Sequence, residues 1–496
     1  MVVVFNSILA GLALFILYKL TGKVSEQSKA KLRGCRPPRS RPSWDPLFGI
    51  DLFLNDSKLR SANNLMPGEA SYFKELDTHT LKSATLGGTF FLTKHPENIK
   101  TTMSTKASQW GIGPIRSEAM GAFCGQGFLT TDGPVWDHSR SMLVPSFAKQ
   151  NVADLSAFGG LVDQLMAKIP KDGSTFDLQP LITTMFIDSS QQFLVGQAPG
   201  VFGGQGATDA PLDSQTYLSA FNASLMGMGL RIITGSFRFL VPKSMTIVHW
   251  QKVWGYVDFY VSRSLEKKSP AAEARQRSLL ESVASQTSDP HEIRNQVLQG
   301  MLAAQDTTPT LISNTIFLLA RYPQVWNRLR QVLGELGPSP SADALRGVPL
   351  LRDVLRESLR LYPVFARMDR AALVDTTLPV GGGSDNSSPI FVPRGTKVMC
   401  QFYALHRNPD VFGADVETFN PDRWANINPG AWEYMPFGGG QRACLGQNKA
   451  LNEASYVIWR LAREVKMLQS RDDKDYAGQL MLIVKNANGC KIACST

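Results

Sequence analysis

The sequence predicts a mainly α protein with small β-sheets at its edges, built as one large domain behind an N-terminal membrane anchor. Three observations carry this. Apolar positions recur at helical spacing through the long middle, strand-like runs are short and scattered, and residues 2–20 are almost wholly apolar.

In the N-terminal run only Asn6, Ser7 and Lys19 interrupt the apolar residues. At 1.5 Å per residue such a helix spans roughly 28 Å, about one hydrocarbon core. No charge precedes it, whereas Lys19, Lys23, Lys29, Lys31, Arg33, Arg36, Arg39 and Arg41 follow. That order suits an uncleaved anchor with everything after it in the cytosol. Residues 1–21 are therefore expected to be a transmembrane anchor. Residues 22–43 are expected to be a stiff basic linker, Pro-rich at Arg36-Pro37-Pro38-Arg39-Ser40-Arg41-Pro42, with its charges against anionic headgroups. Residues 44–496 then form one domain.

Within that domain, residues 292–321 place Ile293, Val297, Met301, Ala304, Leu311, Ile312, Ile316 and Leu319 at helical spacing, between Pro290 and Pro323. The length predicts a helix crossing the whole domain. Pro309 falls inside it, where it removes the N–H that would bond the Gln305 carbonyl and predicts an opening beside Thr307. Residues 341–361 and 448–469 read as two further helices. Strands are expected at Thr89–Leu92, Ile390–Val392 and Lys397–Cys400, with a C-terminal hairpin around Asn486-Ala487-Asn488-Gly489. Gly381-Gly382-Gly383-Ser384-Asp385 lacks the Lys-Ser/Thr of a phosphate loop and reads as a turn between strands.

Composition narrows the function classes. The 496 residues are 43% hydrophobic and 19% charged, which excludes disordered, collagenous and coiled-coil chains. Six cysteines are too few for a disulfide framework, and without a C-x-x-C or His-x-x-x-His pair a zinc site is not expected. A net charge of +10 leaves nucleic acid, an anionic membrane and an acidic protein open as partners.

The most informative segment is Phe437-Gly438-Gly439-Gly440-Gln441-Arg442-Ala443-Cys444-Leu445-Gly446. Glycines ahead of the cysteine let a loop turn sharply and approach a ligand closely, and Gly446 lets the chain turn into the next helix. A cysteine at a helix N-terminus is biased toward thiolate, and Arg442 can face an anion. A single thiolate in such a loop suits a haem iron held by one axial sulfur. Elsewhere, Glu357 and Arg360 lie three apart on one helix face, and Trp136 and Arg140 four apart.

The spacing Phe-x-x-Gly-x-Arg-x-Cys-x-Gly matches the haem-binding signature of the cytochrome P450 family, which the chain resembles over essentially its whole length. The resemblance implies a cytochrome P450 fold with haem b held by Cys444 as axial thiolate. Phe437, Gly438, Arg442, Gly446, Ala303, Trp136, Arg140 and Arg367 would surround the cofactor, the tryptophan and arginines reaching its propionates. It further implies that Glu357, Arg360 and Arg423 of Phe419-Asn420-Pro421-Asp422-Arg423-Trp424 lock together to hold the thiolate loop. Ala303-Ala304-Gln305-Asp306-Thr307-Thr308 resembles the oxygen-activation motif, with Thr307 hydrogen-bonding the oxygen and Asp306 relaying protons. Ala304 stands where the family often has Gly. His406 and the other histidines are expected to be structural.

Leu129–Trp136 continuing to Pro145-Ser146-Phe147, and Thr377–Gly383 continuing to Pro389–Pro393, resemble the fungal microsomal group that hydroxylates n-alkanes and fatty acids. Val364–Met368 departs from that group, so a fungal secondary metabolite is an equal expectation, with multistep oxidation or rearrangement as the alternative chemistry. Substrate-facing stretches by resemblance are Trp110–Cys124, Tyr217–Phe239, the helix near Ala303, Val364–Met368 and Leu480–Leu482. Their Met, Phe, Leu and Gly content suits an apolar substrate. The implied reaction inserts one atom of O2 into a C–H bond, with NADPH electrons delivered by a separate cytochrome P450 reductase or cytochrome b5. Docking is expected on Arg140, Lys149, Arg442 and Lys449. The expected location is the endoplasmic reticulum membrane, single-pass, with no nucleic-acid partner and no obligate oligomer. A membrane-tethered binding protein without activity is the competing class.

Overall fold

Prolines divide the helical middle of the chain. In the computed structural model, which describes residues 22, 24–203, 209–234, 239–266 and 278–496, the helix expected over 292–321 is two helices. They run Pro290–Ala304 and Thr307–Leu319, separated by Gln305 and Asp306. The restart at Thr307 puts Pro309 in a first helical turn, where N–H groups have no intrahelical partner and a missing one costs little. The ladder resumes with Thr310 N–H donating to the Asp306 carbonyl at 3.2 Å. The predicted opening beside Thr307 is thus a complete break two residues long.

Similar punctuation corrects two other helices. The one expected over 341–361 is a short turn, Ala342–Arg346, then a helix from Pro349 to Leu361, because Pro349 takes a first-turn position. The one expected over 448–469 ends at Glu464, and Met467–Ser470 is a strand. The predicted anchor, residues 1–21, lies outside the described residues. Among the described residues no helix is long and apolar enough to cross a membrane.

The chain divides into two compact units. The first comprises the described residues up to Ser57, with Gly68–Gly111 and Met368–Gln401. It is built on strands β1 (Arg39–Ser40), β2 (Thr80–Thr85), β3 (Gly88–Thr93), β4 (Trp110–Gly111), β6 (Arg367–Ala372) and β9 (Lys397–Gln401), in the order β1-β2-β3-β9-β6-β4. The hairpin of β7 (Thr376–Gly382) and β8 (Ser388–Val392) turns through the glycine-rich segment, where Gly381 and Gly383 have φ of 106° and 81°. All three strands expected here are present, each one or two residues longer at an end. The basic linker is docked along its second half. Arg39 pairs with Leu81, and Arg41 is buried against Asp56 (2.9 Å) with its guanidinium over the Tyr72 ring, so that charge faces protein rather than headgroups.

The second unit, Lys58–Pro67, Ile112–Arg367 and Phe402–Thr496, is helical. Its main helices are α1 (Gly113–Cys124), α2 (Gly133–Leu143), α3 (Ser156–Lys168), α4 (Leu178–Val195), α5 (Ser214–Thr234), α6 (Ile247–Glu266), α7 (Pro290–Ala304), α8 (Thr307–Leu319), α9 (Pro323–Gly334), α10 (Pro349–Leu361) and α11 (Gln447–Glu464). One apolar core packs α8, α9, α10 and α11 together, with Ile312, Ile316, Trp326, Leu329, Leu355, Ile458 and Trp459 inside. A second surrounds α7 with α1, α5 and α6. Two small sheets complete the unit. One orders β10 (Met467–Ser470), β13 (Lys491–Ser495) and β5 (Asp172–Asp177) as β10-β13-β5; the other pairs β11 (Gly478–Leu480) with β12 (Val484–Asn486). The expected C-terminal hairpin is therefore corrected: Gly489 N–H closes a turn onto the Asn486 carbonyl, but β12 and β13 join different sheets.

Replacing Pro309 with Ala restores a backbone donor at the α7–α8 junction. Amide exchange at 306–310 is expected to slow in Pro309→Ala, measured by hydrogen–deuterium exchange with mass spectrometry. Unchanged rates would show that the proline does not set the break.

Candidate active site

The cysteine loop owes its shape to two glycines. Gly438 and Gly440 take left-handed φ of 71° and 66°, and a Cβ at Gly439 would strike the Met435 methyl at 2.8 Å and the Trp432 ring at 2.9 Å. These turns bring the Cys444 N–H onto the Phe437 carbonyl at 3.0 Å. Gly446 stands at the cap where the chain enters α11, as expected, but with an ordinary φ of −84° that does not demand glycine. A Cβ there would lie 3.9 Å from Cys444 Sγ, in ordinary contact.

Cys444 is exposed, whereas the other five cysteines are buried. Its sulfur is nonetheless partly desolvated by the protein atoms around it. Burial, the largest influence, pushes the thiol above its usual range; Gly446 N–H, Arg140 and Gln447 N–H oppose it. The bias toward thiolate expected from the helix terminus is therefore outweighed by desolvation in the protein alone.

The cationic groups gather on one side of this loop. On α2, Trp136 is buried, and Arg140 Nη2 donates to the Ala443 carbonyl at 3.0 Å. Arg442 lies over the Trp136 ring at 4.3 Å. Trp136, Arg140, Arg442 and Cys444 thus form one cluster. Arg367 opens β6 and is half-buried. Arg442 also pairs with Asp132 at 2.7 Å, while Asp132 accepts from the N–H groups of Ile112 (2.9 Å) and Gly113 (2.8 Å). Three of the four basic groups expected to face a reductase carry carboxylate partners: Arg442 with Asp132, Lys149 with Asp343 and Lys449 with Glu453.

The Glu357 carboxylate is fully buried and accepts five hydrogen bonds. Arg360 donates twice (2.9 and 2.8 Å), Arg423 Nε at 2.8 Å, the Asn420 N–H at 3.0 Å and Trp424 Nε1 at 3.0 Å. Arg423 takes Asp415 as a second anionic partner at 2.7 Å. Arg360 also donates to the carbonyl of His406, whose ring Nε2 accepts the Met435 N–H at 2.9 Å. His406 is buried, and burial holds its pKa down at about 3, so the ring is neutral. Asp415 belongs to this framework and Asp132 to the Arg442 pair, although the sequence assigns neither a role; Trp424 joins from the same segment as Arg423.

Ala303, Asp306 and Thr307 are half-buried around the α7–α8 break. Thr307 Oγ1 donates to the Ala303 carbonyl at 2.9 Å, the ordinary i−4 bond of a helical threonine. Burial raises the Asp306 pKa, partly opposed by Lys485. Ala304 and Leu445, the neighbour of Cys444, pack on the same apolar cluster as Met301 and Leu302. The helix break and the cysteine loop therefore border a common core.

A solved structure, the haem domain of cytochrome P450DA, shares the fold: TM-score 0.75 at 18% identity, over 92% of this chain and 97% of that one. The sequence model of cytochrome P450 matches residues 61–491, and the chain belongs to that family. It is similar to the cytochrome P450 monooxygenase himC of Aspergillus japonicus, at 34% identity over 93% of this chain and 84% of the relative. It is also similar to cytochrome P450 52A12 of Debaryomyces hansenii, at 33% identity over 93% and 92% respectively. The protein is thus an oxidoreductase, a monooxygenase related to fungal cytochromes P450, a family whose cofactor is haem.

Glu357→Gln leaves two buried guanidiniums short of charge, and a loss of about 3–5 kcal/mol is expected in denaturant unfolding. His406 contributes in a second way. Below about pH 6.5 the unfolded chain protonates this histidine and the folded chain does not, until about pH 3. Its contribution is complete above pH 6.5 and is lost as pH falls, by about 1.4 kcal/mol per unit. Unfolding series between pH 7 and 5 should show His406→Gln with a pH slope shallower by one proton.

Proposed function

We propose that the protein binds haem b through Cys444 and hydroxylates C–H bonds of an apolar substrate, a fatty acid, an alkane-like chain or a fungal secondary metabolite. The observation that carries this is the exposed thiol: one exposed cysteine among six, in a loop shaped by left-handed glycines and backed by Trp136, Arg140 and Arg442. The donor set fits the cofactor, since a soft sulfur suits iron and two guanidiniums suit the two propionates of the macrocycle. Cys444 would hold the iron, with Gly446 beside it at the start of α11. Trp136, Arg140, Arg442 and Arg367 would hold the carboxylates, with Phe437, Gly438 and Ala303 against the ring. When bound, haem supplies oxygen activation and transfer of one oxygen atom to carbon.

The chain's own residues would manage protons. Asp306, kept toward its protonated form by burial, can give a proton, and the Thr307 hydroxyl can orient the acceptor once its bond to Ala303 is exchanged. Glu357, Arg360 and Arg423 act at a distance by holding the loop. The partly buried Leu225, Ala304 and Leu482 support an apolar substrate. Electrons would come from NADPH through a separate reductase, with cytochrome b5 as an optional donor. Arg140, Lys149, Arg442 and Lys449 are the proposed docking groups. Lys149 is exposed, and a surface pair such as Lys149–Asp343 is weak enough to open for a partner.

The proposed location is the endoplasmic reticulum membrane, with residues 1–21 as anchor, 22–43 as linker and 44–496 as the haem domain. Exposed Met226, Leu230, Ile233, Leu240, Met245 and Val248 give the helical unit an apolar stripe that supports a membrane face. Multistep oxidation or rearrangement of a metabolite remains the second reading, favoured by the Val364–Met368 segment.

The test is spectroscopic and then chemical. Haem-loaded protein, reduced and given carbon monoxide, should show the Soret shift of a thiolate ligand, and Cys444→Ser should abolish it. Absence of the shift in wild-type protein overturns the reading. Turnover with reductase and NADPH against fatty acids, alkanes and a fungal metabolite extract, followed by mass spectrometry, assigns the substrate.

A further inference from the structure

The α7–α8 break is fastened by a side chain outside both helices. Tyr217, on α5, is completely buried. Its phenol oxygen accepts Gln191 Nε2 from α4 at 2.6 Å and Gln305 Nε2 from the break at 3.3 Å. The Tyr217 hydroxyl in turn points at Met301 Sδ, 3.8 Å away on α7. One oxygen atom therefore joins α4, α5, α7 and Gln305, the first of the two residues at which the long helix is interrupted. The Tyr217 ring is gripped by Tyr256 at 4.4 Å and stacked on Phe221 at 6.0 Å, so the oxygen has little freedom to follow Gln305 if the junction shifts.

The chemistry explains why this matters at residue 305 in particular. Gln305 is buried, and a buried amide without a partner is costly, so its side chain is bound to the partner available. Its own backbone carbonyl receives nothing from Pro309, which has no N–H. The conformation of the break is thus set less by the helix ladder than by where Tyr217 holds the Gln305 amide. Asp306 and Thr307 are the next two residues. Tyr217 itself is a poor proton carrier, because it accepts from two amides and its own donor meets only a thioether.

We infer that Tyr217 is a positioning residue for the monooxygenase reaction: through Gln305 it fixes the break that aims Asp306 and Thr307, and so couples α5 to proton delivery. This rests on the proposed reading of Asp306 and Thr307 as the proton-handling pair. In the coupled reaction, substrate C–H, O2, NADPH and a proton give alcohol, water and NADP⁺. When protons arrive misdirected, O2, NADPH and a proton give hydrogen peroxide and NADP⁺, with the substrate unchanged. Misaiming the pair therefore alters the division of the same two electrons, not their supply.

The test uses the haem-loaded protein with its reductase. Tyr217→Phe keeps the ring packing and removes only the phenol oxygen. Amide exchange at 305–310 is expected to quicken by roughly tenfold, the scale of one buried hydrogen bond, and the peroxide share of NADPH consumed is expected to rise severalfold. The carbon-monoxide difference spectrum should not move. Gln305→Met cuts the same bond from its other end, decides the matter if Tyr217→Phe fails to fold, and should reproduce both changes. The double variant should add nothing further. Unchanged exchange overturns the inference, and so does faster exchange with an unchanged peroxide share, which would make Tyr217 merely structural. Thr307→Ala separates the underlying reading: if it leaves the peroxide share at the wild-type value, the assignment of Asp306 and Thr307 fails.

Discussion

A carboxylate with no access to water, Glu357, organises the cysteine side of the helical unit. Two arginines, a backbone N–H and an indole N–H all donate to it, and Asp415 shares the charge of Arg423. A buried ion pair of this kind is weak evidence for net stability, since desolvation consumes much of its attraction. Its value is directional. Arg360 and Arg423 each have several planar donors, and with one face of each locked on Glu357 the remaining N–H groups reach fixed carbonyls at His406, Val416, Thr418 and Phe412. A loop with little regular structure thereby acquires one conformation.

From there the constraint passes to sulfur through short, ordinary bonds. The His406 carbonyl accepts from Arg360, and its ring accepts from Met435 N–H. The Met435 carbonyl takes Gly438 N–H, and Phe437 takes Cys444 N–H. His406 can serve only while neutral, because a protonated ring would present a second donor to Met435 N–H. Its burial, which depresses the pKa, is therefore part of the same device. Describing the histidine as structural is right, but it is also the link by which the charge cluster reaches the cysteine loop.

What the sequence made legible depends on distance along the chain. Trp136 and Arg140, Glu357 and Arg360, and Phe437 to Gly446 are separated by fixed short spacings, and each group is brought together as its spacing implies. The prolines also announced themselves, although the helices they interrupt read as longer than they are: Pro309 and Pro349 occupy first-turn positions that a periodicity of apolar residues does not reveal. Partners supplied by tertiary folding were silent. Nothing near Arg442 points to Asp132, nothing in the sequence assigns Asp415 to Arg423, and the carboxylate partners of Lys149 and Lys449 offset charge expected to face a reductase. The Asn486–Gly489 turn was legible, but sheet membership was not, because a turn fixes a chain reversal and leaves open which strands it will pair.

The two halves of the site differ in how they are held, and that difference has a consequence for function. The cysteine loop is over-determined, fixed by charge, by left-handed glycines and by a chain of backbone bonds. The α7–α8 junction is under-determined. Its ladder is interrupted, its proline withholds a donor, and its conformation leans on the contact of Gln305 with a tyrosine from a neighbouring helix. A firmly held cysteine loop and a loosely held helix junction border the same apolar core, so the second can adjust to what lies between the helices while the first stays fixed. Met120, Phe221, Met228 and Met301 line the same core, and within it the two glutamine amides, Gln191 and Gln305, both donate to the Tyr217 oxygen.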